Sequence, residues 1–197
     1  MKLLIATRNP GKLRELQKAF GDLEIEIVSL ETYPDLPDVD ETEVSFLANA
    51  RKKAEHFLST ECFVLADDSG ICVDVLDGAP GVHSARWANA YGDQDANNQK
   101  LLQELREHQN RKAHFTCALV LMAPDGRVWE VEGKCEGEIA HEVKGKHGFG
   151  YDPIFYLPDK DCTMAELTPE EKFEVSHRGE AIRKIREILV EVLKPTD

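Results

Sequence analysis

An apolar run that ends in two adjacent carboxylates limits the folds open to this chain more than any other feature. Residues 62–66 are apolar, as in a buried strand, and Asp67, Asp68, Ser69 and Gly70 follow directly. In an open α/β sheet, ligands bind just outside the carboxyl ends of the strands. Neighbouring carboxylates repel each other unless a proton or cation is close, and Mg²⁺ prefers carboxylate oxygens. The stretch therefore indicates either a metal site or a plain turn, and on this stretch alone the turn is the simpler interpretation.

Charge and composition argue against several classes of partner. The 197 residues, 42% of them hydrophobic and 31% charged, suit a soluble globular protein of one domain or two small lobes. A formal net charge of −13 argues against nonspecific binding to nucleic acid or to anionic membranes, whereas a small anionic ligand needs only a few local cations. We find no signal peptide and no apolar run near the roughly 20 residues of a membrane span. The five cysteines are widely spaced without a C-x-x-C pair, which favours reduced thiols in a cytoplasmic protein.

The first strand leads into a segment that could bind phosphate. Residues 2–6 are apolar, and Thr7, Asn9, Gly11 and Lys12 lie in the turn before an amphipathic helix. Backbone N–H groups at the start of a helix can cradle phosphate, and the lysine adds a positive charge. The pattern of a P-loop is absent, so a plain strand-to-helix turn with an exposed lysine is an equal alternative.

Hydrophobic periodicity and turn residues predict the remaining elements. Strands are expected at residues 24–30, 71–76, 113–123, 128–136, 137–143 and 154–157, with a hairpin turn at residues 124–126. Helices are expected after caps at Thr42, Asp95 and Thr168 and from Ser176 onward. Residues 34–41 are acidic and proline-rich, which predicts an extended loop that ends at Glu41. Lys52 and Lys53 of the helix after it, taken singly, are typical of a solvated face.

Two later stretches carry groups that could recognise a base. Phe149 lies between glycines in residues 145–153, where a nucleobase could stack on its ring, a contact worth roughly 1–3 kcal/mol. The alternative is that Phe149 packs into the core. His177 and Arg178 open the last helix, and their positive charges oppose the helix dipole, which makes a nearby anion or acceptor more plausible. The alternative there is a pair of surface residues.

Four stretches taken together resemble a known family. They are Thr7-x-Asn9-x-x-Lys12, Asp67-Asp68-Ser69-Gly70, Phe149-Gly150-Tyr151-Asp152-Pro153 and Ser176-His177-Arg178. In this order and spacing the chain resembles the noncanonical purine nucleoside triphosphate pyrophosphatases, from Leu3 to the final helix. Asn49-Ala50-x-x-Lys53-Ala54, Gly78-Ala79-Pro80-Gly81 and Glu166-Leu167-x-x-Glu170-x-Lys172 extend the likeness. His147, where the family commonly has glycine, is one of a few departures.

The resemblance implies a fold and a reaction. The fold is an α/β protein with a long, mixed, twisted sheet and flanking helices, folded as one domain over residues 1–197 with two lobes around a central cleft. The reaction is Mg²⁺-dependent hydrolysis of ITP, dITP or XTP to the nucleoside monophosphate and pyrophosphate, which cleanses the nucleotide pool. A cytoplasmic homodimer is expected, with no nucleic-acid or membrane partner.

The resemblance also implies roles for single residues. Asp68 is expected to be the catalytic base, and Asp68 and Glu41 the metal ligands, with Asp40 as an equally acidic neighbour of Glu41. The expected phosphate-contacting residues are Thr7, Arg8, Asn9, Pro10, Gly11, Lys12 and Lys53, with Ser69 beside Asp68 on the substrate. The expected base pocket consists of Phe149, Gly150, Tyr151, Asp152, Lys172, His177 and Arg178. We expect all of these segments to converge on one gap.

Two other functions stay open at this point. The first is a noncatalytic nucleotide-binding regulator, against which the intact Asp67-Asp68 pair and Lys12 count. The second is a pyrophosphatase for another modified nucleotide, which would lack the hydrogen-bond donors of residues 176–178. Arg178 and His177 can donate to the 6-keto oxygen of hypoxanthine or xanthine, whereas adenine would leave them unpaired. Guanine also has that oxygen, so this argument does not exclude GTP.

Overall fold

A mixed β-sheet with flanking helices forms the framework of the computed structural model, which describes residues 1–89 and 92–194. The strands are β1 Lys2–Ala6, β2 Glu26–Ser29, β3 Phe63–Val73, β4 Lys112–Met122, β5 Val128–Ile139, β6 Phe155–Leu157 and β7 Cys162–Thr163. The helices are α1 Pro10–Phe20, α2 Phe46–Phe57, α3 Gln94–Glu104, α4 Pro169–Val175 and α5 His177–Leu193. The predicted α/β class is confirmed.

The strand order explains why the sheet is mixed. Seven strands of the described chain pair in the order β2-β1-β3-β4-β5-β6-β7. β1 pairs in parallel with β2, where Leu3 lies opposite Ile27, and in parallel with β3, where Leu3 lies opposite Phe63. β5–β6 and β6–β7 are antiparallel. The predicted β4–β5 hairpin is confirmed, with Gly126 in the left-handed region of its turn.

The prediction of a turn at Asp67-Asp68-Ser69-Gly70 is wrong. β3 continues through these residues to Val73, so the two predicted strands at 62–66 and 71–76 are one. Asp67 is only 1% exposed and Asp68 only 5%. Turn residues suit a turn when their side chains meet water, but here the carboxylates have buried cationic and amide partners, so the strand can continue.

Several predicted element boundaries shift. Ser45, not Thr42, caps α2, since its hydroxyl accepts from the Ala48 N–H at 3.2 Å. Asp93, not Asp95, caps α3, with its carboxylate accepting from the Ala96 N–H at 3.0 Å. β5 runs on to Ile139, so the separate strand predicted at 137–143 does not form. The observed boundaries lie two or three residues from the predicted ones.

The chain divides into two compact units, and the division falls inside three long strands. The first unit consists of residues 1–68, 117–133 and 181 onward. Its core contains buried side chains of β1 and α1 together with Ile182, Ile185 and Leu189 of α5.

The second unit consists of residues 69–116 and 134–180. Its core surrounds Leu101, Phe115, Tyr151 and Phe155. All five cysteines lie in the described chain, and no disulfide joins them. Among residues 1–89 and 92–194, no helix is long and apolar enough to span a membrane.

Candidate active site

Two lysines and three carboxylates meet in the first unit, and we call Lys12, Glu41, Lys53, Asp67 and Asp68 the carboxylate–lysine cluster. Lys12 Nζ lies 3.0 Å from Asp67 Oδ1, and Lys53 Nζ lies 2.7 Å from Glu41 Oε1. Lys53 also donates to the backbone carbonyl of Asp67. Lys53 is buried, so the interpretation of this lysine as part of a solvated face is wrong. The fold thus brings together four residues that the sequence had singled out for phosphate, metal and catalysis.

Burial and charge act in opposite directions on Asp68. Burial raises the pKa of Asp68, the charges of Lys53 and Lys12 oppose that rise, and the neighbouring Glu41 and Asp67 carboxylates add to it, so the net direction is upward. For Lys53, burial alone would lower the pKa, but Asp68, Glu41 and Asp67 together raise it. Asp68 is therefore a stronger base than an ordinary aspartate, while Lys53 stays charged.

Asn49 holds Asp68 in place, and the sequence did not single it out as a site residue. Its Nδ2 donates to Asp68 Oδ2 at 3.0 Å, and its Oδ1 accepts from the backbone N–H of Glu43 at 3.0 Å. Because both ends of the amide are engaged, the end that faces Asp68 is fixed as a donor. Asn49 lies on α2 one turn before Lys53, so one face of one helix supplies both contacts. The sequence signal was an asparagine on the same helical face as the apolar Phe46 and Ala50.

The segment after β1 caps its own helix. Asn9 Oδ1 accepts from the N–H groups of Gly11 at 2.9 Å and Lys12 at 3.2 Å, and Thr7 Oγ1 accepts from the N–H of Asn9 at 3.2 Å. Pro10 occupies the first helical position, where its missing N–H costs nothing. The Asn9 side chain thus engages the N–H groups of Gly11 and Lys12, and the Thr7 hydroxyl, the Asn9 amide and the Lys12 ammonium are side-chain groups with which this segment could contact phosphate.

Arg8 lies at the surface and makes an ion pair with Asp38 of the acidic loop. Its Nη2 also donates to the carbonyl of Leu36 at 3.3 Å. Exposed ion pairs are worth little in water, so Arg8 can exchange Asp38 for another anion at small cost.

The charge balance of the carboxylate–lysine cluster fits a bound divalent cation. With every group ionised, three carboxylates face two ammonium groups, which leaves one negative charge before any phosphate arrives. In the described chain, no three side chains of the histidine, cysteine, aspartate or glutamate type are grouped to hold a metal alone. Mg²⁺ needs no such cage, because it is usually bound by one or two carboxylates together with substrate phosphates and water. Asp68 and Glu41 have the right oxygen chemistry.

A second group of predicted residues meets in the second unit, and we call Phe149, Asp152, Lys172 and Arg178 the Phe149 cluster. Lys172 Nζ lies 2.8 Å from Asp152 Oδ2 and 4.3 Å from the centre of the Phe149 ring. The Arg178 guanidinium carbon lies 5.9 Å from the same centre. Phe149 is half-buried and lies outside the group of buried core residues, which argues against the alternative that it serves the core.

The remaining predicted residues of this unit have defined places. Arg178 Nη2 donates to Ser69 Oγ at 2.9 Å, which takes one of the five N–H donors of a guanidinium. His177 is buried and stacks on Phe115 with ring centres 4.5 Å apart. Tyr151 is a core residue whose hydroxyl donates to the Ser84 carbonyl at 2.8 Å.

Two named proteins are similar to this chain over nearly its whole length. A protein of Exiguobacterium named dITP/XTP pyrophosphatase is 48% identical over 98% of this chain and 100% of its own length. A Listeria monocytogenes protein of the same name is 44% identical over 98% of this chain and 97% of its own.

Two solved structures are also similar. The Ham1 protein of Staphylococcus aureus has a TM-score of 0.87 and 38% identity over 97% of this chain and 99% of its own. A HAM1 protein from Coxiella burnetii has a TM-score of 0.89 and 40% identity, with the same shares of 97% and 99% covered. The sequence profile of the Ham1 family matches residues 3–188, nearly the whole length. On this evidence the chain is a member of the Ham1 family.

Proposed function

We propose that this protein hydrolyses noncanonical purine nucleoside triphosphates, ITP, dITP and XTP, to the nucleoside monophosphate and pyrophosphate. Relatives 44% and 48% identical over nearly the whole chain bear the name dITP/XTP pyrophosphatase. The observation that carries the proposal is a buried carboxylate, Asp68, whose pKa is raised and whose neighbours are two lysines. A carboxylate of this kind can act on water at neutral pH while the lysines bind phosphate oxygens.

Asp68 is the proposed catalytic base. It orients a water molecule toward the α-phosphorus and accepts its proton as the bond to the leaving pyrophosphate breaks. The Asn49 amide donates to one carboxylate oxygen of Asp68 and so fixes the orientation of the carboxylate toward the water. Lys12 and Lys53 would transfer part of their contact from Asp67 and Glu41 to the phosphate oxygens. When bound by Asp68 and Glu41, Mg²⁺ would supply the positive charge that the cluster lacks and neutralise phosphate charge.

The Phe149 cluster is the proposed base-recognition site. The half-buried aromatic ring offers a surface on which a purine can stack. Arg178 and the His177 ring carry N–H donors suited to a 6-keto oxygen, whereas the 6-amino group of adenine would leave buried donors unpaired. Lys172, held by Asp152, keeps a positive charge beside the ring. We thus assign phosphate binding to the carboxylate–lysine cluster of the first unit and base recognition to the Phe149 cluster of the second unit.

Product analysis tests the reaction type. The purified chain is incubated with dITP and increasing Mg²⁺, and the products are separated by ion-exchange chromatography. We expect deoxyinosine monophosphate and pyrophosphate in equal amounts, with no turnover when Mg²⁺ is chelated. Formation of the diphosphate and inorganic phosphate would contradict cleavage at the α–β bond, and nucleotide binding without turnover would favour the regulator.

Assembly and location complete the proposal. We propose a homodimer, for which light scattering should give twice the mass of the 197-residue chain. We also propose that the enzyme acts in the cytoplasm, where the nucleotide pool lies. Its five cysteines form no disulfide in the described chain, which is consistent with a reducing compartment.

A further inference from the structure

Two amide side chains of α3 hold the backbone of Gly150, the residue that follows Phe149. The N–H of Gly150 donates to Gln94 Oε1 at 2.7 Å. The carbonyl of Gly150 accepts from Asn98 Nδ2 at 3.1 Å. Gln94 and Asn98 are four residues apart, so they lie on the same face of the helix, one turn from each other. One helix face therefore engages both polar groups of a single residue in the loop.

The loop depends on such contacts because its own backbone is irregular. Gly148 and Gly150 both have positive φ angles, +76° and +65°, so the loop belongs to no helix or strand that would fix it. On the other side of the ring, the N–H of Phe149 donates to Asp152 Oδ2 at 2.8 Å, the oxygen that also pairs with Lys172. The backbone around Phe149 is thus held at the N–H of Phe149 by Asp152, and at the next residue, Gly150, by α3.

The contact that Asn98 makes with Gly150 leaves the other end of its amide buried without a partner. It is only 3% exposed, and its Oδ1 has no hydrogen-bond partner in the described part of the chain. A buried polar atom without a partner costs free energy, and an apolar residue at this buried helical position would avoid that cost. The donor end of Asn98, which binds the Gly150 carbonyl, is the compensating contact.

We propose that Gln94 and Asn98 are positioning residues for base recognition. By fixing the Gly150 peptide they fix the Phe149 ring against Lys172 and Arg178, and so determine how well a purine stacks there. The inference rests on the proposed function for the identity of the ligand. It assigns a functional role to α3, which carries none of the predicted site residues.

The test uses Gln94, because this residue is exposed and its replacement removes little from the core. Gln94→Ala removes the acceptor for the Gly150 N–H, whereas Gln94→Glu keeps an acceptor oxygen in its place. Gln99→Ala, an exposed glutamine of the same helix, is the matched control. For each variant we measure kcat and KM for ITP, and inhibition by inosine monophosphate, which has the base, and by pyrophosphate, which lacks it.

We expect Gln94→Ala to raise the KM for ITP and the inhibition constant of inosine monophosphate by about threefold or more, the size of one lost hydrogen bond. Inhibition by pyrophosphate should not change, and Gln94→Glu and Gln99→Ala should resemble the wild type. An unchanged KM for ITP in Gln94→Ala would overturn the proposal. An equal rise in the inhibition constant of pyrophosphate would also overturn it, because a general loosening of the fold weakens the binding of both ligands.

Hydrogen exchange separates this inference from the proposed function. In the protein without nucleotide, the amide of Gly150 should exchange faster in Gln94→Ala than in Gln99→Ala. If wild-type protein released no pyrophosphate from ITP but this exchange difference appeared, the proposed function would fail while the positioning contact stood. Equal exchange in the two variants would remove the contact itself.

Discussion

At the scale of single residues, Asp68 shows how burial and charge compete at one carboxyl group. Burial raises its pKa, and Lys53 and Lys12 only partly reverse the rise. An aspartate with the ordinary value of 3.8 is a weak base near neutral pH. The upward shift therefore improves Asp68 as a base and at the same time makes its charged form costly to the fold.

Asp68→Asn should remove activity and leave the fold intact. General-base catalysis contributes about 10²–10⁴-fold, so kcat for ITP should fall by at least that factor while ITP binding persists. Asp95→Asn, an exposed change of the same type on α3, is the control and should leave kcat unchanged. The value of kcat is measured from the rate of pyrophosphate release, and ITP binding is measured by calorimetry. A variant with wild-type kcat would exclude Asp68 from the chemical step.

The same substitution makes a prediction about stability and pH. Because the folded-state pKa of Asp68 lies above its unfolded value, the native protein binds the proton more tightly, and the wild type loses stability as pH rises from about 3.8 through the folded-state pKa. Above that window the wild type bears the full cost, so Asp68→Asn should have the higher Tm at pH 7.5. The difference should shrink at lower pH. A lower Tm for the variant at pH 7.5 would contradict the upward shift.

Asn49→Ala should shift the pH dependence of activity. The Asn49 amide donates to the charged form of Asp68, so its loss should raise the pKa of Asp68 further and move the acid limb of kcat/KM to higher pH. Asn97→Ala removes a buried amide of α3 that binds the Ala88 N–H, and it should lower stability without moving the limb. Pyrophosphate release from ITP between pH 5 and 9 measures both. If the acid limb of kcat/KM lay at the same pH in the wild type and in Asn49→Ala, Asn49 would have no influence on the catalytic pKa.

At the scale of elements, α4 is a short helix whose cap holds a site residue. The Thr168 hydroxyl accepts from the Glu171 N–H at 3.2 Å, and the Glu171 carboxylate accepts from the Thr168 N–H at 2.9 Å. Lys172 follows at once and pairs with Asp152. The capping box and the proline at the first helical position were both predictable from the sequence, and the structure confirms them.

Thr168→Ala should therefore destabilise the protein and weaken base binding together. Loss of an N-cap costs about 1 kcal/mol, which for a chain of this length lowers Tm by about 2–4 °C. Thr168→Ser keeps the capping hydroxyl and should remain close to wild type in Tm and in KM for ITP. Calorimetry gives the Tm of each variant, and steady-state kinetics gives its KM for ITP. If Thr168→Ala and Thr168→Ser had equal Tm values, the capping bond would contribute nothing.

The wrong predictions at Asp67 and Lys53 have a common cause. It predicts a strand end at Asp67 because acidic and small residues suit turns, and it cannot show that Lys12, Lys53 and Asn49 arrive from other elements to bury those carboxylates. Lys53 was predicted to lie at the surface because the sequence does not show the distant groups, Glu41 and the Asp67 carbonyl, that pair with it. Local pattern predicted β1, the hairpin and α4, where the determining residues are neighbours in sequence, and failed where the partner was distant.

At the scale of the whole molecule, the net charge of −13 sets the problem that the local charges must solve. A triphosphate carries about four negative charges and is repelled at long range. Lys12 and Lys53 are already paired with Asp67 and Glu41, so they cannot supply the whole attraction. This balance is the physical reason to expect that hydrolysis depends on Mg²⁺, and it adds to the two sequence signals for a metal, the adjacent carboxylates and the family resemblance.

The central claim is that the chain releases pyrophosphate from ITP, dITP and XTP, which carry a keto oxygen at position 6 of the purine, in preference to ATP, which carries an amino group there. Its most direct test is kcat/KM for pyrophosphate release from ITP, dITP, XTP, GTP, ATP and UTP in the presence of Mg²⁺. We predict that ITP, dITP and XTP exceed ATP and UTP by orders of magnitude, and that GTP does not lead. A lead for GTP or UTP, or equal rates for ITP and ATP, would contradict the account.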